Sequence, residues 1–338
     1  MNPQASMETD MPAAIRPLLL SATDVAHCAP PLADVIRVVE DTYRRDAAGE
    51  VEVPAKVALH PHGPSSFLHA MPAWVGGQQA LGMKWVSFFP GNARHGAPDS
   101  SALIVLNDPL TGVPVAIMDG MWITYARTGA CAALAARYCA NPAPRRVGLV
   151  GCGGLGEWSL RCLAALFPSI AEVFVASQRP ASRADFCARM AGQGPWTLTP
   201  VDEIRQAVQD MDIVVSSVPK LQTHPIAAEW WSPGTVLIPL DITGSWDDAT
   251  YGRADRVVCD HRDNLARAFE RYRPGLAIDD ARGVGMQDIV SGRAPGRAAA
   301  TDRVMAFMTG IGSIDVAVAW DIYRRADEQN RGQRFDLA

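Results

Sequence analysis

The apolar positions of this chain change period twice. Leu32, Val35, Ile36, Val39 and Tyr43 fall at i, i+3, i+4, i+7 and i+11, the spacing of a helix with one buried face. That helix should end near Ala48, with Gly49 just past its cap. The period then drops to two. Segments 56–60, 66–72, 81–89, 101–107 and 113–119 predict strands, and the turns between them are rich in Gly, Pro and Asn. A helix followed by such a meander predicts an α+β unit.

From residue 123 the pattern changes again. An alanine-rich helix is expected over 123–140, ended by Asn141-Pro142-Ala143-Pro144. Beyond it, strands (147–150, 172–177, 213–218, 235–241, 256–260) alternate with helices (155–167, 181–191, 201–209). Such alternation predicts a Rossmann-type, doubly wound parallel sheet of the α/β class, with ligands at the carboxyl ends of its strands. A final helical segment is expected over 301–325; Gly310 and Gly312 lie inside it. Residues 1–15, with acids, prolines and no basic-then-apolar order, read as a disordered lead and not a signal peptide.

At 338 residues the chain is long enough for two cores. A formal net charge of −5 with no long basic run argues against nucleic acid. No apolar stretch is long enough to span a bilayer, so no membrane is expected and the location should be cytoplasmic. Seven cysteines without a C-x-x-C pair read as reduced, mostly buried thiols. His60 and His62 read as surface histidines, and no metal site is expected.

The run Val147-Gly148-Leu149-Val150-Gly151-Cys152-Gly153-Gly154-Leu155-Gly156 places G-x-G-x-x-G between a strand and a helix. In that context Gly151 makes the tight turn, Gly153 lets a pyrophosphate approach, and Gly156 allows close helix packing. The N-H groups at the start of the helix, Gly154 and Leu155 among them, would face the phosphates. After the second strand an NAD site usually carries an acid. Here stand Ser177, Gln178, Arg179, Ser182 and Arg183, which favour NADP(H), with NAD(H) the other possibility. Ser217, Val218 and Pro219 follow another strand and should line the nicotinamide or pyrophosphate pocket.

Three cations stand in apolar or small company: Lys56, Lys84 and Arg127. Alternation puts Lys84 on the face of Val86 and Phe88, where a charge is costly without an anionic partner. Such a set suits a carboxylate substrate. The alternative for each is a structural ion pair, with Asp99, Asp108 and Asp119 as available partners. Asp241, ending a buried strand, could meet a substrate amine or trade a proton with it, or serve as a loop acid.

Met71-Pro72-Ala73, Gly82-Met83-Lys84, Thr111-Gly112-Val113-Pro114, Met118-Asp119-Gly120, Ile123-Thr124 and Ala126-Arg127-Thr128, then the glycine turn and a late Gly310…Asp315 pair, resemble the ornithine cyclodeaminase/mu-crystallin family. The resemblance implies a homodimer. Residues 16–126 with 310–338 would form the substrate and dimerisation domain, and 127–309 the dinucleotide domain, with Thr128 among the residues that would bind the cofactor. It also implies that Lys84 and Arg127 hold a substrate carboxylate beside the nicotinamide. Lys56 stands where many members have arginine. In the loop after Leu240 the simplest register sets Thr243 at the place of a cyclodeaminase aspartate, and a two-residue slip would put Asp241 there. Reductases of the mu-crystallin type have serine there, so Thr243 leans towards reduction. Phe307 and Met308 stand where some relatives have Lys and Ser. The implied activity is NAD(P)-dependent oxidoreduction at the C–N bond of a small α-imino or α-amino acid. Ornithine cyclodeamination and non-catalytic NADPH binding are the alternatives.

Overall fold

The computed structural model describes residues 15–218, 225–242 and 244–337. It begins with β1 (Leu18–Leu20), α1 (Ala22–Cys28) and α2 (Leu32–Ala47). In α2 the five residues of the apolar stripe are, apart from Leu32, fully buried, and Gly49 takes the left-handed φ of +75°. Strands β2 (Val51–Glu52), β3 (Val57–Leu59), β4 (Phe67–Val75), β5 (Ala80–Phe88), β6 (Ser100–Asn107) and β7 (Pro114–Asp119) follow. Strands β4 to β7 pair antiparallel in sequence order, as the period of two predicts. β1 extends the other side by pairing parallel with β7, an addition that its three residues are too few to announce.

The helix α3 (Met121–Cys139) runs from this sheet to the second one without a break at residues 126–127, so the expected domain boundary falls inside a continuous helix. It is buried almost all round, which a weakly amphipathic, alanine-rich sequence permits. A Cβ on Gly129 would stand 2.4 Å from the Trp158 carbonyl, so the glycine sets how closely the next helix approaches.

The second sheet contains β8 (Arg146–Val150), β9 (Glu172–Ala176), β10 (Thr197–Val201), β11 (Ile213–Ser216), β12 (Val236–Pro239), β13 (Arg256–Cys259), β14 (Gly283–Gly285) and β15 (Val304–Phe307). Its strand order is β10-β9-β8-β11-β12-β15-β13-β14, and every ladder is parallel. Helices α4 (Gly154–Leu166), α5 (Pro180–Met190), α6 (Asp248–Gly252), α7 (Arg262–Tyr272) and α8 (Met286–Val290) connect the strands. The chain leaves β8 towards β9 on one side and returns to β11 on the other. The crevice beyond β8 and β11 is therefore the topological switch point.

Two expectations fail. Residues 201–209 are not a helix: 197–201 form an edge strand beside β9, followed by a short 3-10 turn, Ile204–Ala207. The edge position tolerates Pro200, and β-branched Thr197, Thr199 and Val201 favour the strand. Residues 301–325 are also not one helix. Val304-Met305-Ala306-Phe307 is a central strand buried on both faces, and such a run has no period to separate it from a buried helix. Gly310, at φ +80°, turns the chain into α9 (Gly312–Glu328), which packs on β4 and β5 before β16 (Gln333–Arg334).

Candidate active site

Lys84 sits in the middle of β5, and its side chain is enclosed against α9. Its Nζ donates to Asp315 Oδ1 at 2.7 Å, and Arg127 Nε donates to the same oxygen at 2.8 Å. All three side chains are buried. The other oxygen, Oδ2 of Asp315, is buried with no hydrogen-bond partner among the described residues. The acids expected as alternatives are engaged elsewhere: Asp99 accepts from Asn92 N, Asp108 from Thr111 and Asp119 from Met121 N. The partner is Asp315, on a helix from the far end of the sequence. It is an acid in the apolar run Ile314-Asp315-Val316-Ala317-Val318, so the criterion that singled out Lys84 would have found it as well.

Lys56 joins the group from just before β3. Its Nζ donates to the Thr309 carbonyl, and its backbone N–H to Asn264 Oδ1 at 3.0 Å. Asp260, at the end of β13, ties down the turn that carries Thr309. Its carboxylate accepts from Thr309 N at 2.8 Å, Thr309 Oγ1 at 2.7 Å and Gly310 N at 2.7 Å. The left-handed φ of +80° favours glycine at 310, and a Cβ there would stand 2.5 Å from Arg127 Nη1 and displace the guanidinium.

The electrostatics follow from burial. Desolvation, then Arg127, lower the Lys84 pKa from 10.5 to about 7, against the opposing pull of Asp315. Desolvation lowers Lys56 to about 8, against the pull of Asp260. Three cations share two carboxylates, Asp260 and Asp315, so the cluster holds one positive charge more than it neutralises when every group is ionised. Burying such a charge is unfavourable, and an incoming carboxylate would relieve it.

The glycine turn has the predicted geometry. Gly151 has φ +106°, and a Cβ on it would lie 2.6 Å from the Ser217 carbonyl. A Cβ on Gly156 would lie 2.6 Å from the Gly151 carbonyl. At Gly153 a Cβ would meet nothing within 4 Å, which leaves room for a phosphate beside the first turn of α4. At Gly154 it would strike the Tyr125 ring at 2.6 Å. Leu155 lies in that first turn, and Thr128 follows Arg127 with its hydroxyl bonded to the Thr124 carbonyl. The residues present fit a dinucleotide at this crevice.

Asp241 closes the adjoining loop. Val218 N donates to Oδ2 at 3.1 Å, while Ser245 Oγ at 3.0 Å and Gly244 N at 3.3 Å donate to Oδ1. Burial raises its pKa while these donors oppose the rise. Both oxygens thus act as a loop brace between the ends of β11 and β12. Thr243 and Pro219 lie outside the described residues.

Ser177, Gln178 and Arg179 stand at the end of β9, the last two exposed. Arg183, expected beside them as a phosphate ligand, is buried and committed to the Ser177 carbonyl and to Asp202. Asp202, its partner, lies 19 residues away in the 201–209 segment, where the expected helix does not form. His60, expected at the surface, is half-buried, with its ring 6.2 Å from His69. Phe307 is enclosed by Trp246 at 5.5 Å and Phe269 at 5.7 Å, and Met308 by the Tyr43 hydroxyl at 3.9 Å. All seven cysteines are unpaired.

Comparison with known proteins agrees with this geometry. The nodulation efficiency protein NfeD of Rhizobium meliloti is 31% identical over 317 residues, covering 93% of this chain and 96% of that protein. The alanine dehydrogenase of Archaeoglobus fulgidus is 30% identical over 315 residues, covering 89% and 93%. The solved structure of an archaeal alanine dehydrogenase dimer with bound NAD superposes with a TM-score of 0.85 at 28% identity, covering 96% of this chain and all of the other. No described helix is long and apolar enough to cross a membrane. Residues 16–330 match the family model, and the chain belongs to the ornithine cyclodeaminase/mu-crystallin family.

Proposed function

We propose that this protein is an NAD(P)-dependent oxidoreductase acting on the C–N bond of a small α-imino or α-amino acid. The observation that carries the reading is the buried cluster of Lys84, Arg127 and Lys56 with its unneutralised positive charge. Arg127 and Lys56 receive the substrate carboxylate, and Lys84 stands beside them with a pKa of about 7, suited to give up a proton near neutral pH. The bound nicotinamide supplies a hydride. Delivered to the imine carbon, that hydride would leave the nitrogen needing a proton, and Lys84 would be the group to give it. Asp241 is a positioning residue that braces the ends of β11 and β12 through Val218 and Ser245. Alanine dehydrogenases among the relatives support this reading.

The exposed Arg179 and its neighbours at the end of β9 support NADP(H) over NAD(H). A homodimer fits the outer face of the first sheet, where register aligns Val57, Ala70, Trp85 and Leu103. Val57 is 61%, Trp85 41% and Leu103 51% exposed, an apolar row that a second copy would cover. The two sheets would then be the substrate and dinucleotide units, and the unpaired cysteines suit a reducing cytoplasm. The test is a panel of cyclic ketimines, 2-oxo acids with ammonia, and ornithine, each with NADPH and NADH. Imine-dependent oxidation of the reduced cofactor supports the proposal. Ammonia release from ornithine with no net consumption of cofactor would replace it with cyclodeamination.

A further inference from the structure

The register of the first sheet orders the residues that share a face with Lys84. Lys84 pairs with Met71 and Ile104, the next tier is Val86 with His69 and Ala102, and the one after is Phe88 with Phe67 and Ser100. In β3, Ala58 pairs with His69, and alternation brings Lys56 and His60, one residue beyond either end, to the same face. The cationic tier is thus followed along one sheet face by an apolar tier and then by an aromatic one, the tiers about 7 Å apart.

The two directions along this face differ. Towards the start of β5 the next tier is Ala73, Gly82 and Leu106, buried in the main core. Towards its end, Met71, Val86 and Ala102 form a small apolar cluster separate from the main core. His69, in the tier of Val86, and Phe67 and Phe88 beyond it are only half-buried. Their rings are ordered: Phe67 stacks on His69 with centroids 4.2 Å apart, Phe67 and Phe88 lie 5.8 Å apart, and His60 meets Tyr272 of α7 at 6.5 Å. On the β6 side Gly120 closes the tier, because a Cβ there would stand 2.9 Å from that of Ala102. Among the described residues, those that the register places on this face beyond Lys84 include no carboxylate.

From this order we infer that the side chain of the substrate lies over Val86 and His69 and is apolar and aromatic, an aryl-bearing α-imino acid. The inference rests on the proposed function for the position of the carboxylate. Stacked rings favour another π-system, whose offset or edge-on contacts exceed those of an aliphatic chain of equal area. An ω-ammonium, as in a diamino acid, would lose its water there and meet no counter-charge.

The test separates binding from turnover. Calorimetry on the protein loaded with NADP+ or NAD+ should show phenylpyruvate binding at least tenfold tighter than pyruvate. His69→Ala and Val86→Phe, both checked for unchanged unfolding temperature, should each remove most of that preference while leaving pyruvate affinity within about threefold. A fold-intact His69→Ala is sufficient if the bulkier variant fails to fold. Equal affinity for the two acids, or a preference untouched by His69→Ala, would overturn the inference. The same proteins are then assayed with NADH or NADPH on imines formed from each acid with methylamine. Selective binding without reduction of any imine would leave the subsite standing and remove the oxidoreductase reading instead.

Discussion

Gly310 and Arg127 are fitted to one another: a methyl group at residue 310 would stand 2.5 Å from Arg127 Nη1, and the backbone there is left-handed at φ +80°. The turn that Asp260 holds therefore sets where the guanidinium lies. Gly310→Ala should lose about 1 kcal/mol from backbone strain alone. It should lose more from displacing Arg127, with roughly tenfold weaker binding of pyruvate. Gly292→Ala separates the two effects, because φ is +76° there and a Cβ would meet nothing within 4 Å. Thermal unfolding and calorimetry on both variants should show strain in each and weakened binding only in Gly310→Ala.

The buried Lys84 predicts how stability depends on pH. Its pKa falls from 10.5 to about 7, so between those values the unfolded chain carries a proton that the native chain lacks. Stability from this group therefore rises with pH across that window, and below about 7 the burden of the buried charge is fully present. Lys84→Met should remove the rise, and urea unfolding from pH 6.5 to 10 would show it as a flatter curve. Asp315→Asn should act in the opposite sense, stranding two cations and losing on the order of 3–5 kcal/mol near neutral pH.

The sequence made much of this legible, for identifiable reasons. Lys84 and Arg127 were visible because a cation on an apolar strand or among alanines contradicts its surroundings, and the glycine turn because each glycine has a separate steric task. Their shared partner Asp315 lies 231 residues from Lys84 along the chain. No local pattern encodes that separation, although the acid itself was conspicuous in its helix. The strand Val304–Phe307 was hidden because burial on both faces removes alternation, and the role of Arg183 because its partner Asp202 was assigned to a helix that does not form.

Two glycines of the same turn should fail differently. Gly153→Ala places its methyl in open space and should fold with an unchanged unfolding temperature, yet lose at least tenfold in dinucleotide affinity, because the methyl occupies the approach of the pyrophosphate. Gly151→Ala forces a Cβ to 2.6 Å from the Ser217 carbonyl at φ +106° and should lower stability with or without nucleotide. Fluorescence titration with NADPH and NADH, beside a thermal melt, distinguishes the two outcomes.

Cofactor preference should depend on Arg179 and not directly on Arg183. Arg179 is exposed at the end of β9, whereas the guanidinium of Arg183 is occupied by the Ser177 carbonyl and Asp202. Arg179→Ala should weaken NADPH by about tenfold, the loss expected for one charge-assisted contact, and leave NADH nearly unchanged. Arg183→Ala should loosen the loop and weaken both cofactors alike. Tighter binding of NADH than of NADPH by the unmodified protein would transfer the preference to NAD(H).

The outer face of the first sheet offers the last prediction. Strand alternation normally leaves one face polar when the other meets the core. Here the face opposite Lys84 is also apolar, with Trp85 and Leu103 directly paired and both exposed. An exposed row of this kind is unfavourable in an isolated chain, so it should be covered by the same row of a second copy. Trp85→Glu would set a charge opposite Leu103 at the centre of that contact. It should convert the dimer to monomer in sedimentation equilibrium while the far-ultraviolet circular dichroism stays native, since the side chain points away from the core. A protein that sediments as a monomer before any substitution would show that the apolar row serves another purpose.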